Sequence, residues 1–201
     1  MRVVAGRLGG RRLKAVPGGG TRPTSDRVRE ALFSVLGDRV VGARVVDLFA
    51  GTGALAIEAL SRGASEAVLI EQAARAVTVI RENLAALGLG EVAAVRRTRA
   101  ETWLRGQRDG PFDLAFLDPP YAIPVGLLAG LLAGLARPGT LAPGAVVVVE
   151  AAARSEPPPW PAGLVPDPPR RYGDTALHLA AFEPENPRVR AAQGQPPGGS
   201  G

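Results

Sequence analysis

The tetrapeptide Asp118-Pro119-Pro120-Tyr121 closes the apolar run of residues 112–117, Phe-Asp-Leu-Ala-Phe-Leu. A run of this kind halted by an acid and two prolines predicts a buried parallel strand that stops abruptly, because neither proline can donate a ladder hydrogen bond. In open α/β sheets ligands bind beyond the carboxyl ends of the strands, so Asp118 is expected to face a pocket. There its carboxylate can accept a hydrogen bond from an amino group, and the Pro119 carbonyl, held by the rigid ring pair, can accept a second from the same nitrogen. Tyr121 can stack on a flat ring. A planar amine on a heterocycle is a poor nucleophile, since its lone pair is delocalised into the ring. Two acceptors gripping its hydrogens favour a pyramidal nitrogen and aim the lone pair at an electrophile, which is catalysis by positioning and electrostatics. Taken alone, the tetrapeptide also fits a plain turn in which Asp118 caps the next helix.

A second group of residues lies upstream. Asp47 sits inside the end of the strand-like run 44–49, and Ala50-Gly51-Thr52-Gly53 leads from it into a helical pattern. The glycines let backbone N–H groups approach a ligand at a helix N-terminus. Glu71 ends the next apolar run, 20 residues past Gly51, where an acid grips ribose hydroxyls in nucleotide-binding folds; the other reading is an acid favoured by a helix dipole. Residues 51–56 also satisfy the dinucleotide fingerprint G-x-G-x-x-A, so a nicotinamide or flavin enzyme has to be weighed. Asp47, four residues before Gly51, would crowd a pyrophosphate but can accept a bond from an ammonium or a hydroxyl. The strand ends carry no histidine or lysine suited to hydride chemistry, and Asp-Pro-Pro-Tyr has no role in it. An acid before the glycine turn, an acid ending the second strand and Asp-Pro-Pro-Tyr ending the fourth form instead the layout expected for S-adenosyl-L-methionine and an amino-group acceptor.

The elements that must hold these residues follow from periodicity and punctuation. Residues 2–5 and 11–16 read as two short strands around a glycine-bearing turn, a basic β-hairpin. The Gly18-Gly19-Gly20 stretch reads as a loop. A helix capped by Thr24, Ser25 or Asp26 carries Val28, Ala31, Leu32 and Val35 on one face and ends near Gly37. Five core strands are expected at residues 44–49, 67–70, 92–95, 112–117 and 144–150, alternating with helices at 54–62, 73–87, from 99, and 125–136. The segment 157–169 is proline-rich and reads as a surface connection, and a last pair of strands turns around Gly173-Asp174. The glycine- and proline-rich stretch from residue 184 onward is expected to be disordered. The expected division is an N-terminal extension over residues 1–23, a catalytic domain over 24–183 and a tail over 184–201.

Composition narrows the chemistry. The 201 residues contain no cysteine and one histidine, His178, so thiolate catalysis and cysteine- or histidine-clustered metal centres are excluded and no metal is expected. His178 reads as an ordinary strand residue. No apolar run reaches the ~18 residues of a membrane span and no signal-peptide block opens the chain, so a cytoplasmic protein without membrane contact is expected. The net charge of +5 is uneven: residues 1–39 carry nine basic side chains against three acids, a net +6. A basic arm on a near-neutral body points to a polyanion, nucleic acid first.

With these residues in view, the chain resembles the RsmD-type 16S rRNA guanine-N2 methyltransferases. The resemblance runs through residues 2–6 and Thr21-Arg22-Pro23-Thr24-Ser25-Asp26-Arg27-Val28-Arg29-Glu30-Ala31-Leu32-Phe33. It continues through residues 47–55 with Glu58-Ala59-Leu60-Ser61-Arg62-Gly63, Asp118-Pro119-Pro120-Tyr121 and Tyr172-Gly173-Asp174-Thr175. The Thr-Arg-Pro-Thr block is its specific part. The resemblance implies an α/β, Rossmann-like S-adenosylmethionine-dependent methyltransferase fold, with a seven-stranded mixed sheet whose last strand is antiparallel. By the same resemblance, Asp47, Phe49, Ala50, Gly51, Thr52 and Gly53 line the cofactor site with Gln72 and Asp118, Glu71 holds the ribose, and Asp118 to Tyr121 hold the guanine. RNA contacts fall to Arg2, Arg7, Arg11, Arg12, Lys14, Arg22 and Arg27. Where the wider methyltransferase pattern has an acid for the adenine, this chain has Thr98-Arg99-Ala100, so adenine would rest on backbone groups at Arg99 and Ala100.

The expected reaction is in-line methyl transfer to guanine N2, with the base turned out of its stack. The expected partner is 16S rRNA within an assembled or assembling small ribosomal subunit, met by a monomer. Other readings remain at this point: the same chemistry on adenine N6 of DNA or on a protein glutamine, or an RNA-binding assembly factor without catalysis.

Overall fold

The computed structural model describes residues 1–17, 25–106, 109–120 and 122–184. The expected Arg22 and Tyr121 contacts and the glycine-rich loop lie outside the described residues, as does the 184–201 tail apart from Pro184.

Successive strand side chains point to opposite faces of a sheet, so apolar runs with both parities filled need cover on both sides. The central strands meet this demand. Strand β1 (Arg44–Asp47), β2 (Glu66–Glu71), β3 (Ala93–Arg97), β4 (Phe112–Leu117) and β5 (Leu141–Ala152) run parallel in the order β3-β2-β1-β4-β5. Val45, Leu114 and Phe116 point into a core formed with helices α1 (Asp26–Leu36), α2 (Ala54–Ser61) and α3 (Ala74–Ala86). Val46, Ala115 and Leu117 point the other way, toward α4 (Ala100–Gly106) and α5 (Val125–Leu135). Helix α1 begins where the Ser25 hydroxyl accepts the Val28 N–H at 3.2 Å, and it stops at Gly37. Its Phe33 ring meets Phe116 edge-on, with 5.9 Å between centroids.

Beyond β5 the sheet turns antiparallel. Strand β8 (Thr175–Phe182) pairs with β5 on one side and with β6 (Leu164–Pro166) on the other, completing a seven-strand path, and the short β7 (Arg170–Tyr172) adds an eighth strand against β8. Strand β6 falls inside the segment read as a connection. It is short, at the rim of the sheet, and includes Pro166, which only an edge position tolerates. His178 is a buried residue of β8 opposite Val149, and burial followed by the Arg171 charge lowers its pKa.

The N-terminal arm departs from two paired strands. Its ladder is a single antiparallel bridge, Arg2 to Arg12, flanked by bonds from Val3 N to Arg11 O and from Gly10 N to Val3 O, both 2.9 Å. The reason is a competing acceptor: the buried Glu58 carboxylate takes the N–H groups of Val4 at 2.7 Å and Ala5 at 2.9 Å. Ser61 continues the clasp, accepting from Leu8 N at 3.0 Å and donating to Ala5 O at 2.6 Å. Val3 and Leu13 are buried in the same core as α1 to α3, so the arm lies against the body as a strap.

Candidate active site

Three neighbouring strands end together above the glycine turn. Asp47 pairs in register with Leu69 of β2 and Phe116 of β4, so Glu71 and Asp118 each lie two residues further along their strands. The order β2-β1-β4 therefore brings all three acids to one end of the sheet. Asp47 is 1 % exposed, and its Oδ1 accepts the Phe49 N–H at 3.3 Å. Burial pushes its carboxyl up to about 8, and the charges of Asp118 and Glu71 add to the rise while backbone N–H groups oppose it. A buried carboxyl raised in this way is stabilised in its charged form by a positive ligand. Among the described residues no group of three or more acids or histidines could hold a metal ion.

The glycine turn is built from backbone and side-chain bonds. Gly53 N donates to Ala50 O at 2.6 Å, and Gly51 and Gly53 adopt φ of +54° and +83°, values that side-chain-bearing residues rarely take. A Cβ on Gly53 would lie 3.2 Å from Leu69 and 3.3 Å from Ile57. Glu71 holds the turn from β2: Oε2 accepts Gly51 N at 3.0 Å, and Oε1 accepts Ala73 N at 2.7 Å. Each carboxylate oxygen has two acceptor sites, so both can still take a hydroxyl.

The structure brings Asp47, Phe49, Ala50, Gly51, Thr52 and Gly53 into one stretch, with Glu71 of β2 bonded to it and the exposed Gln72 next to Glu71. Thr98 N donates to Glu71 O at 3.1 Å, placing the segment before Arg99 and Ala100 at the flank of β2. Arg99 itself points to solvent and pairs with Glu101, and Ala100 is buried at the start of α4. Asp118 is half-buried, Pro119 buried and Pro120 exposed, with Pro120 O accepting Ile123 N at 2.9 Å.

The basic residues divide. Arg7, Arg11, Arg12 and Arg27 are exposed, Arg2 pairs with Asp26 at 3.2 Å, and Lys14 pairs with Glu82 at 3.1 Å. Arg29, counted in the basic cluster by sequence, is withdrawn from it: the side chain is fully buried and donates to Arg2 O at 2.6 Å and to Asp26 at 2.7 Å. Desolvation lowers its pKa, against the pull of Asp26 and Glu58.

Sequence reading missed Glu58 and Asn83. Each had a signal, being a polar residue inside an otherwise buried helix face: Glu58 between Ile57 and Ala59, and Asn83 three residues after Ile80 and next to Leu84.

A family model described as Conserved hypothetical protein 95 matches residues 1–181. Ribosomal RNA small subunit methyltransferase D of Escherichia coli K12 is 40% identical to this chain over 162 residues, covering 81% of this chain and 80% of that protein. The chain belongs to the RsmD family of rRNA methyltransferases. A solved Escherichia coli chain, yhhF, is 38% identical, with a TM-score of 0.82 over 92% of this chain and 99% of that one. An RNA methyltransferase from Salinibacter ruber, solved in complex with S-adenosyl-L-homocysteine, is 18% identical with a TM-score of 0.62 over 83% of this chain and 97% of that one, a likeness of fold. The Rossmann-like methyltransferase fold expected from the sequence is the fold of this family member.

Proposed function

We propose that the chain transfers the methyl group of S-adenosyl-L-methionine to the exocyclic N2 amine of one guanine in 16S rRNA. The substrate is the rRNA within an assembled or assembling small ribosomal subunit, and the enzyme acts as a monomer in the cytoplasm. The observation that carries the reading is the convergence of Asp47, Glu71 and Asp118 at the ends of three adjacent strands around the Gly51 to Gly53 turn. The buried, raised Asp47 carboxyl suits a ligand bearing an ammonium and a sulfonium. Membership of the RsmD family, and its Escherichia coli relative being a ribosomal RNA small subunit methyltransferase, support the rRNA substrate.

S-adenosyl-L-methionine supplies an electrophilic methyl group when bound. The chain's part is binding and aim. Asp47 accepts from the methionine ammonium, Phe49, Ala50 and Thr52 line the turn, and Glu71 holds the ribose with the acceptor sites left free by Gly51 N and Ala73 N. Gln72, Arg99 and Ala100 border the adenine. Asp118 and the Pro119 carbonyl take the two hydrogens of guanine N2, Pro120 keeps that carbonyl rigid, and Tyr121 stacks on the base. The proton lost from the methylated amine leaves to water. Arg2, Arg7, Arg11, Arg12, Lys14, Arg22 and Arg27 take the RNA phosphates, within an N-terminal extension (residues 1–23) attached to the catalytic domain.

The test is mass spectrometry of nucleosides from purified unmethylated small subunits, and separately from naked 16S rRNA, after incubation with the protein and S-adenosyl-L-methionine. N2-methylguanosine from the subunits is the expected result. Intact cofactor binding with no methylation of either RNA would overturn the assignment.

A further inference from the structure

Asn83 lies in the last turn of α3 and is 2 % exposed, yet every side-chain hydrogen bond it makes is to another segment. Its Oδ1 accepts Lys14 N at 2.8 Å, and its Nδ2 donates to Lys14 O at 3.2 Å and to Thr52 O at 3.0 Å. Both amide hydrogens and the carbonyl are therefore spent on two places: the strap at Lys14 and the glycine turn at Thr52. A second contact joins the same pair of segments, from the Thr52 hydroxyl to Met1 Sδ at 3.5 Å.

We infer that Asn83 is a positioning residue that couples the strap to the glycine turn, so that RNA held by the strap and cofactor held by the turn strengthen each other's binding. The inference rests on the proposed function for what each segment holds. Its physical content is that one buried amide has no alternative partners. If the turn shifts, Thr52 O leaves an amide hydrogen unmade in the interior, and the amide then turns away from Lys14 as well. A ligand that orders either segment has already met part of the ordering needed for the other, and linkage makes the effect reciprocal. Lys14 is held through its backbone, so its ammonium stays at the surface with Glu82.

The experiment measures the dissociation constant of S-adenosyl-L-homocysteine with and without saturating unmethylated small subunits, for wild type, Asn83→Asp and Asn83→Leu. The expected wild-type ratio is about fivefold or more, within the usual range of such couplings. Asn83→Asp keeps the acceptor for Lys14 N and loses both donors, and Asn83→Leu loses all three bonds; both are expected to bring the ratio close to one. A merely structural role would weaken both ligands and leave the ratio unchanged. If the variants do not fold, amide hydrogen exchange on wild type decides: exchange at Lys14 N is expected to slow about fivefold or more when S-adenosyl-L-homocysteine is added, the same range. A wild-type ratio of one, a ratio retained in the variants, or unchanged exchange at Lys14 overturns the coupling while the methyl-transfer reading stands. Failure of wild type to bind S-adenosyl-L-homocysteine overturns that reading and the coupling with it.

Discussion

Asp47 carries a folded-state pKa of about 8 against an ordinary 3.8, mainly because it is buried and further because Asp118 and Glu71 are near. The folded state then holds a proton that the unfolded chain has released, so this carboxyl's contribution to stability is complete below the unfolded value and is lost as pH rises to about 8. A cationic ligand reverses the preference by favouring the ionised form. Cofactor affinity is therefore expected to rise with pH up to about 8 and then level off, with uptake of cofactor at neutral pH releasing close to one proton. Calorimetry in buffers of different ionisation enthalpy reads that proton directly, and heats independent of buffer would contradict it. Asp118→Ala removes an acceptor aimed at the amine and one of the charges acting on Asp47. It is expected to lower kcat by at least about 100-fold, the range for loss of one positioned catalytic contact, with cofactor affinity nearly intact and less proton release. Loss of cofactor binding in a single-turnover assay would make Asp118 a cofactor ligand instead.

The strap is attached through side chains of helices, above all Glu58, which takes the N–H groups of Val4 and Ala5 and the Arg62 Nε at 2.8 Å. Glu58→Ala leaves those donors unmet. At about 1–3 kcal/mol for a buried unsatisfied group, the expected loss is about 3 kcal/mol, which in a domain of this size lowers Tm by roughly 6–12 °C. Thermal unfolding followed by circular dichroism checks it, and a shift under about 2 °C would mean that the strap is held by its apolar contacts alone. The strap also marks where sequence reading stops. Strand β4 and its acid, the glycine turn and Glu71 were legible because apolar runs, prolines and glycines punctuate the chain locally. Glu58 with Val4, Asn83 with Lys14 and Arg29 with Arg2 were not, since they join residues 27 or more apart and no local pattern records such pairs. For the same reason two short runs around a glycine-bearing turn predicted paired strands, while a carboxylate from α2 took the N–H groups of Val4 and Ala5. Strand β6 was missed because three residues beside prolines carry almost no periodic signal, and it exists only because β8 offers an edge.

The molecule as a whole is a sheet covered on both faces, with α1 to α3 on one and α4 and α5 on the other, and its binding residues gathered at one end. That leaves two rims among the described residues, β3 on one side and β6 with β7 on the other. Strand β3 ends in the exposed pair Arg96 and Arg97, one pointing to each side of the strand, with Arg96 near Asp109 at 3.7 Å. An open strand edge is a template for another chain, and charges placed on it oppose that pairing. Replacing both arginines with valine is expected to produce concentration-dependent association in size-exclusion chromatography with light scattering, and a variant that associates no more than the wild type at every concentration would show that they have no such role. A β3 from a second copy approaching this edge would thus meet like charge before it meets a hydrogen bond.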